Sequence, residues 1–441
     1  MPKRSLAAIF FLCAVLSRAE THSLTLQQTL ELAGRQNPDI TLARLDERRA
    51  QEGIRVAQDP FHPKVYLSSG AAYTYGYPNS IQGNAPSIFQ VTTQESLYNR
   101  PQSYGIAAAK ERARASQYGA QAKNDEVVYQ AADVFLTAIQ IDHQREAISN
   151  QLPSLQKVVA VMSAAVNEGS ELPLELQRAR VNLAMSQEQF GAAELDEDYY
   201  QTMLAVVVGY PASDRVKPVD SDLPSAYTPS SEQEAADMAL RNNRELRQTQ
   251  ANILARQMDL RSYKAARLPQ IDLVAQYALF AKYNYEQYFP THFQRNNFQL
   301  GASFTVPLLI GTARQGYLEQ ANTDMLKLRV QSDQIRNRVL LDTRRSFQQW
   351  KKAESIRDLA RMQLDLARQD LTVKLARNNE GRVPITELEQ ARLEESKQWI
   401  ALYDSELQVT RAKLAILRDM GTLAATVQAG QSNARPDVIR P

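Results

Sequence analysis

The chain repeats itself, and the repeat limits what it can fold into. Shifting residues 26–75 by 206 positions places Asn37 on Asn243, Asp39 on Glu245 and Pro63 on Pro269. A shift of 212 places Phe135 on Phe347, Asn167-Glu168-Gly169 on Asn379-Glu380-Gly381, Ala179-Arg180 on Ala391-Arg392, and Gly209 on Gly421. This pattern is an internal tandem duplication of a unit a little over 200 residues long, far beyond the repeat of about 20–50 residues that builds a solenoid. Each copy must be a whole assembly of elements, and the 441 residues are expected to form one pseudo-symmetric body.

Composition narrows the class. Lys plus Arg (51) nearly balances Asp plus Glu (49), so no basic surplus points to nucleic acid. Glycine is scarce (16) beside a hydrophobic fraction of 44%, which suits long helices more than a compact enzyme. Residues 1–19 read as a secretory signal peptide: Lys3 and Arg4, an apolar run from Leu6 to Leu16, then Ser17-Arg18-Ala19 as the cleavage site. That run of 11 residues is too short for a span, which needs about 20. Cys13, the only cysteine, lies inside it, so the mature chain is expected to lack disulfides and cysteine metal sites.

The first repeat, 20–208, opens with a helix from Leu24 to Gln58, with Ser23 or Thr25 as cap. A strand follows from Lys64 to Tyr77, and a less regular one returns over Ser87 to Leu97. A long helix then runs to Asn167, adjusted at Pro153, and a shorter one from Pro173 to Val208. A linker with four prolines, 209–230, leads to the second repeat, 231–420. There the order recurs: helix Glu232–Arg267, strand Gln270–Tyr285, strand Phe298–Val306, long helix Tyr317–Glu380, and helix Ile385–Met420. The tail 421–441 reads as irregular.

The strands are two-faced. Val65 and Leu67 alternate with Lys64 and Ser68; Ile271, Leu273, Ala275 and Tyr277 with Asp272 and Gln276; Phe298, Leu300, Ala302 and Phe304 with Gln299, Gly301 and Ser303. Their length suits a tilted bilayer-spanning strand of about 10 residues. Tyr73, Tyr75, Tyr77, Tyr283, Tyr285 and Tyr288 gather toward the loop ends, where an interfacial aromatic belt sits. An ordinary half-buried sheet alternates in the same way. Lipid, however, forbids the two open edges of a four-stranded sheet, so a membrane location requires a barrel closed by several chains.

Helix lengths add a second constraint. The 64 residues from Tyr317 to Glu380 reach roughly 96 Å and the 36 from Ile385 to Met420 roughly 54 Å, so two short helices end to end match one long one. In the long helix Leu318, Ala321, Met325, Leu328, Ile335 and Val339 follow a 3-4 rhythm, which Leu359, Met362, Leu366, Val373 and Ala376 resume in another phase. The phase change predicts more than one lateral neighbour, as in the wall of a cylinder.

In this order, LTLQQTLELAGRQNPDI, Pro63 and Pro269 at the strand entries, FTVPLLIG, and NNEGRVPITELEQARLEES make the chain resemble the TolC-type outer membrane efflux protein family over nearly its whole mature length. The resemblance implies a mainly α protein with β: a long α-helical barrel, or coiled-coil tunnel, in the periplasm joined to a transmembrane antiparallel β-barrel completed by trimerisation. It implies a homotrimer, a passive exit duct of a tripartite efflux pump or type I secretion system, held in outer-membrane lipid. Its partners are then a periplasmic adaptor and an inner-membrane pump or ABC exporter, with cargo selection left to the pump.

The resemblance also implies a periplasmic constriction near the second return turn. It puts Glu389 at one acidic position and Thr386, with Glu387 beside it, at the other; Arg382 is the candidate for an ionic link. A three-fold carboxylate ring in a narrow pore concentrates cations, whereas acids in a first helical turn are also simply favoured by the dipole. Asn167, Glu168 and Gly169, with Asn379, Glu380 and Gly381, are candidate adaptor-docking tips, the glycines serving as helix caps.

No catalytic residues, cofactor or metal site are expected. His22, His62, His143 and His292 lack ligand spacing, and no glycine-rich phosphate loop occurs. The rival readings are an exported helical scaffold, which leaves the Tyr-rich strands without a role, and a periplasmic adaptor, which carries compact β domains where this chain has two isolated hairpins.

Overall fold

The computed structural model describes residues 20–69, 87–220, 228–280, 294–308 and 311–426. The signal peptide, both hairpin loops and all six tyrosines of the aromatic belt lie outside the described residues. The elements fall into two series of the same order. The first is β1 (Thr21–Thr25), α1 (Leu26–Gln36), α2 (Pro38–Gln58), β2 (Lys64–Ser68), β3 (Ser87–Asn99), α3 (Arg100–Asn167) and α4 (Pro173–Val208). The second is β4 (Arg215–Val219), α5 (Glu232–Asn242), α6 (Arg244–Ala265), β5 (Gln270–Phe280), β6 (Asn296–Thr305), α7 (Ala313–Asn379) and α8 (Ile385–Asp419).

Two expectations need correction. The single helices expected over Leu24–Gln58 and Glu232–Arg267 are each broken, at Asn37 and Asn243. Asn37 is extended (φ −59°, ψ 132°) and its N–H still closes α1 on Ala33 O, while its Oδ1 accepts from the Asp39 amide and so caps α2. Pro38, at the first position of α2, also disfavours a helical Asn37. The Pro-rich linker 209–230 also contains a strand the sequence did not announce, β4, which pairs parallel with β1 from Thr21↔Arg215 to Thr25↔Val219. Helix α3, by contrast, runs through Pro153 unbroken.

Packing divides the chain into two units. One comprises 42–122 and 244–338. It contains a four-stranded antiparallel sheet in the order β2-β3-β5-β6, with irregular register in β3 at Ser87/Phe89 and Ser96/Tyr98. Its helical segments are joined side by side in the order α2–α3–α6–α7: Gln102 Nε2 donates to Ala57 O at 2.6 Å, Arg112 Nη2 reaches Asp259 Oδ2 at 2.6 Å, and Arg314 Nε donates to Tyr263 O at 3.0 Å.

The other unit comprises residues up to 41, 123–243 and 339 onward. Its core gathers Ile40, Val127, Phe135, Leu204, Val216, Ile416, Met420 and Leu423. Burial of one such side chain stabilises by about 1.5–3 kcal/mol. The lateral order here is α4–α3–α8–α7. Arg145 Nε pairs with Glu197 at 2.6 Å across α3 and α4. Gln151 Nε2 donates to Ser396 Oγ at 3.0 Å, and Arg411 Nε pairs with Asp133 at 2.7 Å, across α3 and α8. Ser346 Oγ donates to Asp419 at 2.6 Å, and the Arg368 guanidinium lies 4.8 Å from the Trp399 ring centre, across α7 and α8.

Candidate functional site: sheet face, helix edges and return turns

Register decides what the sheet presents. Leu67, Val91, Tyr277 and Phe298 are successive partners across all four strands, and Val65, Thr93, Ala275 and Leu300 form the next row on the same face. The alternate rows hold Tyr66, Thr92, Gln276 and Gln299, and Ser68, Gln90, Ala278 and Asn297. One face is therefore apolar and the other mostly polar. The apolar face is bare: Leu67 is 75% exposed, Phe298 69% and Leu300 65%. Among the described residues, β2 and β6 each pair on one side only.

The helical layer has bare edges too. Along α7, Ala321, Met325, Val339, Thr343, Ser346, Trp350, Ala353, Ala360 and Leu364 form a buried seam. The second phase read from the sequence faces outward, with Leu359, Met362, Leu366 and Val373 exposed. Helix α4 carries a matching seam that the sequence reading missed: Val181, Met185, Leu195 and Tyr199 are exposed, and 4-3 spacing through 188 and 192 joins them. The signal was there, split by Glu188 and Ala192. Since α4 and α7 close the two ends of the order α4–α3–α8–α7, each unpartnered seam sits on an outer edge of that layer.

Both return turns have the same geometry. Ser170 N donates to Ala165 O at 2.9 Å and Gly169 N to Val166 O at 3.1 Å; Arg382 N donates to Arg377 O at 2.9 Å and Gly381 N to Asn378 O at 2.9 Å. These pairs of bonds are Schellman caps, which need a left-handed residue; Gly169 and Gly381 supply φ of 74° and 69°. Asn167, Glu168, Gly169, Asn379, Glu380 and Gly381 are all exposed. Asn378 Nδ2 ties the second turn by donating to Val383 O at 2.7 Å.

The candidate gate residues part company. Thr386 is half-buried and Glu387 exposed in the first turn of α8. Glu389 is only 1% exposed: its Oε1 accepts from Arg392 Nη1 at 3.2 Å and lies 3.9 Å from Lys157 Nζ of α3, while Oε2 has no hydrogen-bond partner. Arg382 is exposed and pairs with Glu380 of its own turn at 3.2 Å. Among the described residues no group of His, Cys, Asp and Glu is placed to hold a metal ion, and no helix is long and apolar enough to cross a membrane.

Comparison with known proteins agrees with this architecture. The family model described as outer membrane efflux protein matches residues 29–209 and 235–422, one match in each series of elements. No curated protein sequence matches the chain. Among solved structures, the CmeC outer membrane channel of Campylobacter jejuni superposes with a TM-score of 0.72 at 14% identity, covering 93% of this chain and 90% of that one. The outer membrane protein VceC of Vibrio cholerae gives 0.73 at 15%, covering 90% and 96%. The MtrE outer membrane channel of Neisseria gonorrhoeae, in its open state, gives 0.69 at 14%, covering 90% and 89%.

Proposed function

The chain belongs to the outer membrane efflux protein family, and from that premise we propose that three copies, each a tandem duplication, assemble a passive exit duct. The strands of the three sheets close one barrel in the outer membrane, and the helices form a tunnel wall in the periplasm. A periplasmic adaptor and an inner-membrane pump or ABC exporter engage the far end, near Asn167–Gly169 and Asn379–Gly381. Residues 1–19 direct export.

The observation that carries this reading is the four-stranded sheet with one bare apolar face and two unpaired edges. Water penalises that face and lipid penalises those edges, so both are relieved together only by closing the sheet with other copies inside a bilayer. The four strands of this sheet fall short of the roughly 8 that the smallest membrane barrels need. The helix edges point the same way. The exposed seams of α4 and α7 differ, so the contact they form is head-to-tail, α4 of one copy against α7 of the next, and such contacts close into rings where the rotation between copies closes. Glu387, exposed in the first turn of α8, is the residue we assign to an acidic ring at the constriction, with Glu389 holding α8 against α3.

The test is the native mass of the mature protein extracted by detergent from isolated outer membranes, followed by conductance in planar bilayers. A trimer that conducts is expected. A water-soluble monomer or dimer would sink the barrel.

A further inference from the structure

Asp214 stands between α4 and β4, and its side chain is only 14% exposed. Oδ1 accepts from the Ser213 hydroxyl at 3.2 Å and faces the backbone nitrogen of Glu20 at 3.4 Å; Oδ2 lies 3.7 Å from His22 Nε2. His22 in turn stacks on Tyr210, ring centres 4.5 Å apart, and reaches the Glu20 carboxylate at 3.8 Å. The neighbouring Arg215 is committed elsewhere, gripping Asp198 at 2.6 and 3.3 Å. Among the described residues, His22 is therefore the only basic side chain within ion-pair distance of Asp214. A carboxylate this withdrawn from water is costly unless a cation meets it.

We propose that this cation is the α-ammonium of Glu20, created when a leader peptidase cuts between Ala19 and Glu20. Hydrolysis adds one water across that amide: the C–N bond breaks, a C–O bond forms, Ala19 leaves as a carboxylate, and the Glu20 nitrogen takes up the proton. A neutral N–H facing Oδ1 becomes a charged group with three donors at the same place, and charge-assisted hydrogen bonds are about twice as strong as neutral ones. Glu20 is also where the β1–β4 pairing starts, since its carbonyl accepts from Arg215 N at 2.9 Å. A five-residue parallel pair is marginal by itself, so the ammonium–Asp214 pair pins its register at the first residue. Processing thereby completes a clamp between the mature N-terminus and the segment joining the two series of elements.

The inference rests on export of the chain, as does the proposed function, and the experiment separates the two. The purified mature protein is analysed for its N-terminal residue by intact mass, then treated with a limiting amine-acylating reagent near neutral pH, with labelling of the N-terminal peptide followed by mass spectrometry. Expected are a chain beginning at Glu20 and an α-amine labelled about tenfold more slowly than in Asp214→Asn, because the carboxylate holds the amine protonated. His22→Gln should keep the protection. Should Asp214→Asn fail to fold, a chain with Gly-Ser inserted ahead of Glu20 displaces the amine while leaving Asp214 intact, and it should label freely. A mature chain starting elsewhere, or equal labelling with and without the Asp214 contact, overturns the inference. Equal labelling in a conducting trimer would overturn it while leaving the duct in place.

Discussion

Asn37 Nδ2 donates to the carbonyl oxygen of Val207 at 2.8 Å, joining positions 170 residues apart. Its Oδ1 accepts from the Asp39 amide at 2.8 Å, so one buried side chain starts α2 and fixes the last turn of α4, while the backbone N–H of the same residue closes α1 on Ala33 O. Asn37→Ala removes the cap and leaves the Val207 carbonyl with one partner fewer, a loss of about 2–3 kcal/mol. Asn37→Asp keeps the capping acceptor but puts a carboxylate against that carbonyl, so it should not rescue. Thermal unfolding in detergent measures both. A fully stable Asn37→Asp would show that the cap, and not the long-range bond, is what matters.

Two residues beyond Val207, Gly209 closes α4 with φ of 97°, and a Cβ built there would lie 2.8 Å from Gln36 O. Gly421, its counterpart, has φ of 67° and would meet Asn242 O at 3.1 Å, whereas Gly169 and Gly381 face open space. Alanine at the two tips should therefore cost only the left-handed strain of about 1–2 kcal/mol. Alanine at Gly209 adds a backbone clash and should be the most damaging, with Gly421 next. Unfolding midpoints of the four variants test that ranking, and equal losses at Gly209 and Gly169 would refute the close approach.

The same region shows what the sequence did and did not make legible. The glycine caps at Gly169 and Gly381, the long helices and the strand alternation were readable because each is written in local spacing, whereas Gly209 and Gly421 stood out only as a repeat match. The break at Asn37 was not, because Leu30, Ala33 and Ile40 are all buried and keep the apolar rhythm running across it. Strands β1 and β4 escaped for another reason: THSLT and RVKPV are only five residues each, too short for a periodic signal, and Pro218 speaks against a strand; each becomes a strand through a partner some 190 residues away. Glu389 reads from sequence either as a gate acid or as an acid favoured by the helix dipole, and neither reading anticipates its burial. Its burial follows from the phase of α8, where Leu388 and Ala391 turn inward beside it.

Two neighbouring glutamates should accordingly behave differently. Glu387→Gln removes an exposed charge and should reduce cation preference in planar bilayers with stability unchanged. Glu389→Gln strips a buried carboxylate from Arg392 and Lys157; because those partners are partly exposed, the loss should be about 1–2 kcal/mol, accompanied by a looser α3–α8 contact. If Glu389→Gln shifts selectivity while Glu387→Gln does not, the assignment of the ring is reversed.

Asp404, on α8, gives a pH test. Burial holds its carboxyl above the ordinary range, while hydrogen bonds from Gln144 and Gln140 and the charge of Arg411 pull the other way. A raised folded-state value means that the folded chain keeps this proton more tightly than the unfolded one. Its stabilising contribution is then present at low pH and lost as pH rises through that value. Asp404→Asn retains an acceptor for Gln144 and carries no charge. It should be more stable than the parent near pH 7, with the difference shrinking toward about pH 4 as the parent carboxyl protonates. A parent that is more stable at neutral pH would mean that Arg411 outweighs desolvation.

Adjacent residues of β6 provide the sharpest test of the membrane face. Phe298 lies in the row with Leu67, Val91 and Tyr277, and Gln299 in the row with Tyr66, Thr92 and Gln276. Since alternate rows face opposite sides, the pair would sample lipid and lumen of the proposed barrel one residue apart. Phe298→Arg should deplete assembled trimer from the outer membrane, at a cost of up to about 2–4 kcal/mol at mid-bilayer depth. Gln299→Arg should assemble normally and lower cation conductance, because its charge enters the water-filled side. Quantifying heat-dissociable trimer in membranes, then single-channel conductance, reads both outcomes. Normal assembly with arginine at 298 would mean that the apolar rows meet protein instead of lipid, and the barrel would have to be inverted or abandoned.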